Sequence, residues 1–504
     1  MREEALREVS RELLETLLLE RARMDEDFAL WLDVQLLAAQ PQEAGKRLDP
    51  ASFRRRTEAL LSGAGSARRR RHWEGWESEI DEAALAALIN SAVPFLAGGR
   101  GKDALVILKA VAEPLVDHWP EVAEWDETLH ALFPQLDDLI AQAVLMQDVS
   151  AEVRGEFLDE LSDWQDQIAD YGLEDVFATA MAACAGGWEA PDLEDVLAGH
   201  REIWPPEEAD ASAEEDLIPA RLAALDVTGQ VEAYLHFARA AGLHQAQAVK
   251  LVQIGRIDEA LALARAQLSA PDDIRSVAAA LAEAGQRDAG LDLAAWGLKL
   301  PPRSEAAERW WRPENKIGLA RWLRETAREA GRREMMLTAA QAAFEESLEP
   351  EDFQRARELA GASAWPELRE RLLAALLAAP TAFSRIAILL DEGRIDDAVG
   401  SVDPREARFF HRPEGVLQRL AEEAHADHPD WTITLAFAIA DPIMEEARSN
   451  HYEEAAGWLA IAARAYAANG RTDEWQVRLE ELIEIHRRKY RLRPLLEALR
   501  ISVE

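Results

Sequence analysis

A pairing of glycine with a small residue recurs along this chain and constrains its fold more than any other feature. In three segments a glycine precedes a small residue by five positions: Gly255 and Ala260, Gly285 and Gly290, and Gly393 and Ala398. Glycine adopts positive φ without steric cost, which suits a tight turn between two helices. Two antiparallel helices approach closely only where the facing side chains are small. The pairing therefore predicts repeated helical hairpins with close contacts between their helices.

The stretch "PDDIRSVAAALAEAGQRDAGLDLAAWGLKLPP", residues 271–302, resembles the tetratricopeptide repeat. With Gly285 at the turn, the close-contact positions of that repeat are occupied by Ala278, Gly290 and Gly297. "NHYEEA", residues 450–455, is a fainter copy with Asn in place of the glycine. The spacing drifts between copies, so the resemblance implies an irregular helical-hairpin array, a tetratricopeptide-like α-solenoid. The alternative is a set of ordinary helix-turn-helix junctions within a nonrepeating bundle.

The remaining sequence also favours helices. Apolar residues recur at three- and four-residue spacing from the start of the chain, at Leu6, Val9, Leu13 and Leu17. Alanine, leucine, glutamate and arginine, all strong helix formers, dominate, whereas alternating strand patterns are scarce. The sequence predicts an all-α protein.

The chain length and one unusual segment predict the domain organisation. At 504 residues the chain exceeds the size of an ordinary single core, so several domains or a repeat array are expected. "IWPPEEADASAEED", residues 203–216, combines paired prolines with an acidic run and lacks apolar periodicity. We predict an irregular helical domain over 1–202, a linker over 203–216, and a tetratricopeptide-like repeat domain over 217–504.

Net charge and cysteine usage restrict the function classes. The chain carries 94 acidic and 56 basic residues, a net charge of -38, which opposes general binding to nucleic acid or anionic membranes. The lone Cys184 can form neither an intramolecular disulfide nor a cysteine-rich zinc site. The amino-terminal segment has charges among its apolar residues, unlike a secretion signal, and no apolar run is long enough to span a membrane. These features favour a cytoplasmic protein.

Metal, phosphate and nucleophile motifs are weak. Two Glu-x-x-His pairs occur, Glu127 with His130 and Glu422 with His425, but chance alone accounts for about two at this acid content. "AGGRGKDAL", residues 97–105, lacks the first glycine and the hydroxyl residue of a phosphate-binding loop. Cys184 lies in a small, apolar segment, "MAACAGGW", typical of a packed thiol. We therefore predict no cofactor, no metal and no enzymatic activity.

Two surface segments are candidates for partner contact. One is an arginine run, Arg68, Arg69, Arg70 and Arg71, which follows a glycine-serine stretch and precedes two tryptophans. The other is the pair Trp310 and Trp311, which cannot both face the same side of a helix. Arginine beside aromatic residues also suits single-stranded nucleic acid. A nucleic-acid-associated factor using Arg68 to Arg71 and the basic tail "HRRKYRLR", residues 486–493, is the alternative function.

Three segments resemble the helical region that follows the zinc finger in bacterial SWIM zinc finger family proteins: "GRIDEALALARAQL", "LAEAGQRDAGLDLAAWGLKL" and "LEELIEIHRRKYRLRPLLEALR". The cysteines of the finger itself are missing from this sequence. The resemblance therefore implies the helical scaffold alone, working beside a zinc-finger protein, an AAA+ ATPase or a von Willebrand factor A protein encoded separately. We expect a non-catalytic interaction scaffold or adaptor subunit of a bacterial multi-protein assembly.

Overall fold

The computed structural model of this protein describes residues 10–40, 48–66, 80–122, 127–147, 150–206, 211–301, 315–379, 383–405, 415–446 and 448–500. Within these ranges the regular structure is helical and no strand occurs, so the all-α prediction is confirmed. The described helices also include none that combines the length and apolarity needed to cross a bilayer. The chain divides into two compact units, Met1–Leu251 and Val252–Glu504.

Most helices of the first unit are short, and several begin at a residue whose side chain accepts a hydrogen bond from a backbone amide. Ser10, Asp25, Asp81 and Ser150 each provide this cap, which satisfies one of the free amides of the first turn. The helices of this unit are α1 (Arg11–Met24), α2 (Glu26–Ala38), α3 (Pro50–Ser66), α4 (Glu82–Asn90), α5 (Val93–Ala97), α6 (Gly101–Val122), α7 (Leu132–Leu145), α8 (Ala151–Ala169), α9 (Ala178–Ala185), α10 (Leu193–Leu197), α11 (Ala211–Asp216), α12 (Ile218–Val227) and α13 (Val231–Ala240).

The core of the first unit surrounds α6. This helix packs against α3, α7 and α8, and α7 in turn packs against α9 and α12. Aromatic rings fill the centre: Trp119 meets Phe133 edge to face at 5.0 Å between centroids, and Phe133 meets Phe177 at 6.0 Å. The carboxylate of Asp137 on α7 accepts hydrogen bonds from the backbone amides of two α9 residues. Helices that are distant in sequence therefore share this core.

The predicted linker lies inside the first compact unit. Trp204 is buried, with its ring centroid 5.9 Å from that of Phe237 on α13, and residues 211–216 form α11. The division predicted from the sequence, into 1–202, 203–216 and 217–504, concerns independent folding and stays a prediction.

The second unit continues from α14 (His244–Gln253), which spans the boundary between the units. Its longest helical segment, Pro350–Ala378, contains a kink at Gly361, where φ is 67°. The helices of this unit are α15 (Ile257–Gln267), α16 (Pro271–Glu283), α17 (Arg287–Gly297), α18 (Ile317–Glu329), α19 (Arg333–Ser347), α20 (Pro350–Ala378), α21 (Phe383–Asp391), α22 (Ile395–Gly400), α23 (Val416–Ala424), α24 (Pro429–Glu445), α25 (Tyr452–Ala468), α26 (Thr472–Ile485) and α27 (Arg493–Ala498).

Helices that follow each other in sequence form the main contacts of the second unit. The most extensive pairs are α16 with α17, α18 with α19, and α24 with α25. Alanine recurs along the buried faces; α25, for example, buries five alanines together with Trp458, Leu459 and Ile461. Small side chains at these positions allow close approach of the paired helices. The second unit is thus built from consecutive helical hairpins.

Candidate interaction surface

The three predicted turn glycines occupy left-handed turns. Gly255, Gly285 and Gly393 have φ values of 81°, 80° and 69°. A β-carbon added at any of them would meet nothing within 4 Å, so the backbone conformation, not lack of space, favours glycine there. Each turn joins two consecutive helices, as the pattern predicts.

The small residues of the pattern lie where space is limited. Ala260, Ala278 and Ala398 are fully buried. A β-carbon at Gly290 would lie 2.6 Å from the carbonyl oxygen of Ala278, and one at Gly297 would lie 2.8 Å from Cγ2 of Ile274. Helices α16 and α17 therefore approach within backbone contact at Gly290.

Turn glycines are more widespread than the pairing of glycine with a small residue predicts. Gly331 and Gly470 also turn between consecutive helices, with φ values of 68° and 67°. Each is followed by arginine, as Gly255 and Gly393 are, but the position five residues later holds a large side chain. In the second case that side chain is Trp475, which is buried. In the sequence, the Gly-Arg pair indicates these two turns. The pattern of a glycine followed five positions later by a small residue does not include them.

The other candidate residues from the sequence do not converge on one site. The predicted contact residues Arg68, Arg69, Arg70, Arg71, Trp310 and Trp311 lie outside the described residues. His130 packs its ring against Trp119 at 5.1 Å, and His425 Nδ1 lies 2.6 Å from the backbone oxygen of Glu422. In the part of the chain that the structure describes, no three His, Cys, Asp or Glu side chains are grouped to hold a metal ion. Burial raises the pKa of the Cys184 thiol to about 12.

The basic tail, residues 486–493, makes several contacts within the chain. Lys489 Nζ donates a hydrogen bond to the backbone oxygen of Met444, Arg487 pairs with Glu484, and Arg493 Nε lies 2.8 Å from a carboxylate oxygen of Glu497. His486 is buried, and this burial lowers its pKa. Much of the positive charge of the tail is therefore engaged by the surrounding helices.

An open groove lies beside α26, with a volume of about 430 Å³. We call it the α26 groove, and its lining residues are Tyr466, Asp473, Glu474, Val477, Arg478 and Glu481. Tyr466 comes from α25, and the others occupy successive turns of α26. The buried side of α26, including Trp475 and Leu479, holds the helix against the unit, which leaves its outer side open to solvent. The turn at Gly470 brings these two helices together.

One wall of the α26 groove is held by Arg471. Its guanidinium lies 5.0 Å from the ring centroid of Tyr466 and donates hydrogen bonds to Asp430 at 2.6 Å and to Glu474 at 2.8 Å. These two acceptors raise the pKa of Arg471. The ring of Tyr466 also lies against that of Trp475, with 5.9 Å between centroids. These two contacts restrict the orientation of the Tyr466 ring.

Arg478 holds the other wall. Its guanidinium lies 5.3 Å from the ring centroid of Phe437 on α24, and its Nη1 donates to Glu481 at 3.1 Å. Asp441, also on α24, is half-buried, and this burial raises its pKa. The charge of Arg478 lowers the pKa of Asp441, whereas the charge of Glu445 raises it. An additional cation near Asp441 would be electrostatically favourable.

The lining of the α26 groove combines negative charge with apolar surface. Asp473, Glu474 and Glu481 contribute three carboxylates, of which Glu474 accepts from Arg471 and Glu481 accepts from Arg478. Asp473 makes no ion pair within the described residues. Val477 is 62% exposed although it is apolar. The groove can therefore accept a cationic group next to an apolar one, and a peptide segment offers both. In the sequence, Val477 is an isolated apolar residue of α26, so the apolar pattern did not indicate its role.

Comparison with known proteins assigns no family. No protein-family model matches this chain, and no curated protein matches it. The relation to the SWIM zinc finger family stays an expectation based on the three sequence segments quoted above. Function is therefore argued from the hairpins of the second unit and from the α26 groove.

Proposed function

We propose that the protein is a non-catalytic interaction scaffold, in which a tetratricopeptide-like hairpin array in the second unit presents the α26 groove to another protein. The observation that carries this proposal is the groove itself, which is open and is lined by three carboxylates and an exposed valine. Protein-binding surfaces combine apolar side chains with a polar, charged rim, and the groove offers both kinds of group.

The groove is preorganised for binding. Tyr466 contacts Arg471 and Trp475, and Arg478 contacts Phe437 and Glu481. A partner that docks here does not have to order these side chains, so less conformational entropy is lost on binding. The closely packed hairpins provide the rigid support.

The occupant we propose is a peptide segment or helix that carries lysine or arginine beside an apolar residue. A positive side chain pairs with Asp473, while the apolar one covers Val477. The net charge of -38 steers such a segment toward the protein. The SWIM-type resemblance directs the search toward a zinc-finger protein, an AAA+ ATPase or a von Willebrand factor A protein of the same cell.

To test this, the tagged full-length protein is isolated from its own cell together with the proteins bound to it. Wild type is compared with two groove variants, Val477→Glu and Glu474→Arg. A partner bound in the α26 groove is recovered with wild type and lost with both variants. The matched control is Val153→Glu, which introduces the same charge at an exposed position of α8 in the first unit. Circular dichroism checks that all variants keep their helical content.

Calorimetry with the purified partner completes this test. We expect the groove variants to raise Kd by about tenfold or more, and the affinity of wild type to fall between low and physiological salt. A partner that binds all three variants equally would contradict the proposed groove. Steep salt-dependent binding to a labelled oligonucleotide, lost when Arg68 to Arg71 become alanine, would support the nucleic-acid alternative in its place.

A further inference from the structure

Helix α11 is attached to the first unit mainly by charge. None of its residues 213–216 is buried, and a helix as short as Ala211–Asp216 is not stable alone in water. Glu214 Oε2 accepts a hydrogen bond from Arg221 Nη1 at 2.5 Å, and only 16% of the Glu214 side chain is exposed. Among the described residues, this is the one side-chain hydrogen bond that residues 213–216 make. The position of α11 therefore depends on this ion pair.

Arg221 connects α11 to the core. It lies in the first turn of α12, and its side chain is fully buried. Its Nη2 donates to the backbone oxygen of Gly187 at 2.9 Å, just beyond the end of α9, and its guanidinium carbon lies 5.4 Å from the ring centroid of Trp204. A buried guanidinium requires a negative partner, because an unpaired charge away from water is strongly unfavourable. Glu214 is that partner in the described structure.

A like charge opposes this attachment at the end of α11. Asp216 and Asp138 of α7 are both exposed. Partial covering of the Asp138 carboxyl raises its pKa, and the nearby charge of Asp216 raises it further. Within the described ranges, neither carboxylate forms an ion pair or accepts a side-chain hydrogen bond. The neighbouring carboxylate of Asp137 accepts from the amides of α9 and adds no positive charge. Closing α11 against the unit therefore brings two unneutralised carboxylates together.

We propose that α11 is a charge-controlled latch on the first unit, closed by the pairing of Glu214 with Arg221 and opened by repulsion between Asp216 and Asp138. Leu217, which is buried directly after α11, is the fixed end of the latch. Opening separates Glu214 from Arg221 and moves α11 away from α9, which it contacts when closed. Water then reaches the guanidinium of Arg221 and the carbonyl of Gly187. The latch is a local opening of the unit and requires no global unfolding.

The two opposing interactions respond differently to salt. The ion pair between Glu214 and Arg221 is covered by protein, whereas Asp216 and Asp138 face solvent. Dissolved ions screen exposed charges much more than covered ones. Added salt therefore weakens the repulsion more than the ion pair, so the latch should close as ionic strength rises. A helix held by an exposed salt bridge would respond in the opposite direction.

Hydrogen exchange of the full-length protein, followed by mass spectrometry of peptides covering residues 211–217, tests the latch. The amide of Leu217 donates to the backbone oxygen of Ala213 at 3.3 Å and reports on the closed helix. We expect this segment to exchange faster than α9 and α12, and about threefold more slowly at high salt than at low salt. Exchange at the rate of global unfolding would overturn the proposal, as would faster exchange at high salt.

Two variants separate the closing interaction from the opening one. Glu214→Gln keeps the size of the side chain but removes its charge, so exchange in residues 211–217 should accelerate about tenfold. Asp138→Asn removes the repulsion, so exchange should slow about threefold at low salt and lose its dependence on salt. The matched control is Asp166→Asn, at an exposed position of α8 with no ion pair among the described residues, and it should match wild type.

The Asp138→Asn variant keeps the latch testable even if Glu214→Gln destabilises the whole unit, because removal of a surface carboxylate retains the buried ion pair. The same salt response in Asp138→Asn and wild type would overturn the proposal. So would unchanged exchange in Glu214→Gln. These measurements concern the first unit alone, so their outcome is independent of binding at the α26 groove.

Discussion

The cores of the two compact units differ in the range of the contacts that build them. In the first unit, α6 collects α3, α7 and α8 around large aromatic rings, and α7 also packs against α9 and α12. In the second unit, the main contacts join consecutive helices, and alanine or glycine often lies at the contact. The first core therefore depends on residues far apart in sequence, whereas the second depends mainly on nearest neighbours.

This difference predicts different responses to destabilising substitutions. When each helix contacts only its neighbours, stability is approximately a sum of local terms, so a substitution destabilises only the helices around it. When one helix contacts many distant helices, a substitution in that helix destabilises all of them. Hydrogen exchange, which reports local opening, can separate the two behaviours.

The largest effect is expected for Trp119→Ala at the centre of the first unit. The side chain is fully buried and contacts Phe133, so its removal should lower the free energy of unfolding by about 3–5 kcal/mol. Chemical denaturation measures the loss, and hydrogen exchange should accelerate in α3, α6, α7 and α9 together. The control is Trp31→Ala on α2, where the ring is half-exposed and the loss should be much smaller. Faster exchange confined to α6 would contradict the shared core.

Asp352→Ala tests the second unit. Asp352 is buried and accepts hydrogen bonds from Arg321 at 2.7 Å, Arg324 at 3.0 Å and Ser347 at 2.9 Å, which connects α18, α19 and α20. The variant leaves the covered guanidinium of Arg324 with only the 3.5 Å contact of its Nε to Glu325, so we expect a loss of about 3 kcal/mol. Exchange should accelerate in these three helices and remain unchanged in α25 and α26. Acceleration through the whole unit would show that its contacts are not mainly local.

The same carboxylate should respond to acid. Burial alone raises the pKa of Asp352, but hydrogen bonds from Arg321, Ser347 and Arg324 outweigh it, so the pKa lies below its usual value. The folded state then binds this proton less readily than the unfolded state. The contribution of Asp352 to stability is present above the ordinary aspartate pKa and is lost as pH falls through the lowered value.

Gly290→Ala should have a smaller but still destabilising effect. The added methyl group would lie 2.6 Å from the backbone oxygen of Ala278, so α16 and α17 must separate, at a cost of about 1–3 kcal/mol. The melting temperature measures this loss. Gly400→Ala is the matched control, because its β-carbon meets nothing within 4 Å and alanine favours the helix. An equal change in both variants would argue against close packing at Gly290.

The smallest expected effect is the pH response of the first unit through Asp137. Burial raises the pKa of this carboxyl to about 6, so the folded state binds its proton more readily than the unfolded state. The contribution to stability is therefore greatest below the ordinary aspartate pKa and is lost as pH rises through about 6. Between pH 5 and pH 7 this amounts to about 1 kcal/mol. Denaturation at both pH values, with Asp137→Asn as the comparison, measures the contribution of Asp137 to the free energy of unfolding. An identical pH response in the variant would show that Asp137 makes no such contribution.

The hairpin turns and the small contact residues were the most predictable features. Gly285 and Gly290 could be assigned opposite roles from sequence because positive φ and close helix contact are local demands on residue type. Trp475 shows the limit of this reasoning: it occupies the position of a small residue after a turn glycine and is buried nonetheless. The size of a side chain alone does not tell which helix faces it.

The α26 groove could not be found in the same way. Val477 and Leu479 are both apolar residues on one helix, but one is 62% exposed and the other is buried. Periodicity indicates that α26 has an apolar side, yet it does not show that Val477 lies outside it beside Tyr466 of the preceding helix. Helix α1 is a similar case, because Leu13 and Leu17 have the spacing of core residues but are 50% and 49% exposed.

The amino-acid sequence by itself determined the all-helical class, the turns at Gly255, Gly285 and Gly393, and the strong negative charge. The helical class and the turns follow from backbone preferences, which act within a few residues. The negative charge follows from the composition of the whole chain. Only the tertiary structure decided that Trp119, Phe133 and Phe177 share one core, that Gly290 contacts Ala278, and that Val477 is exposed. The reason is that burial depends on which helices approach each other, and that choice is made by the packing of many side chains together.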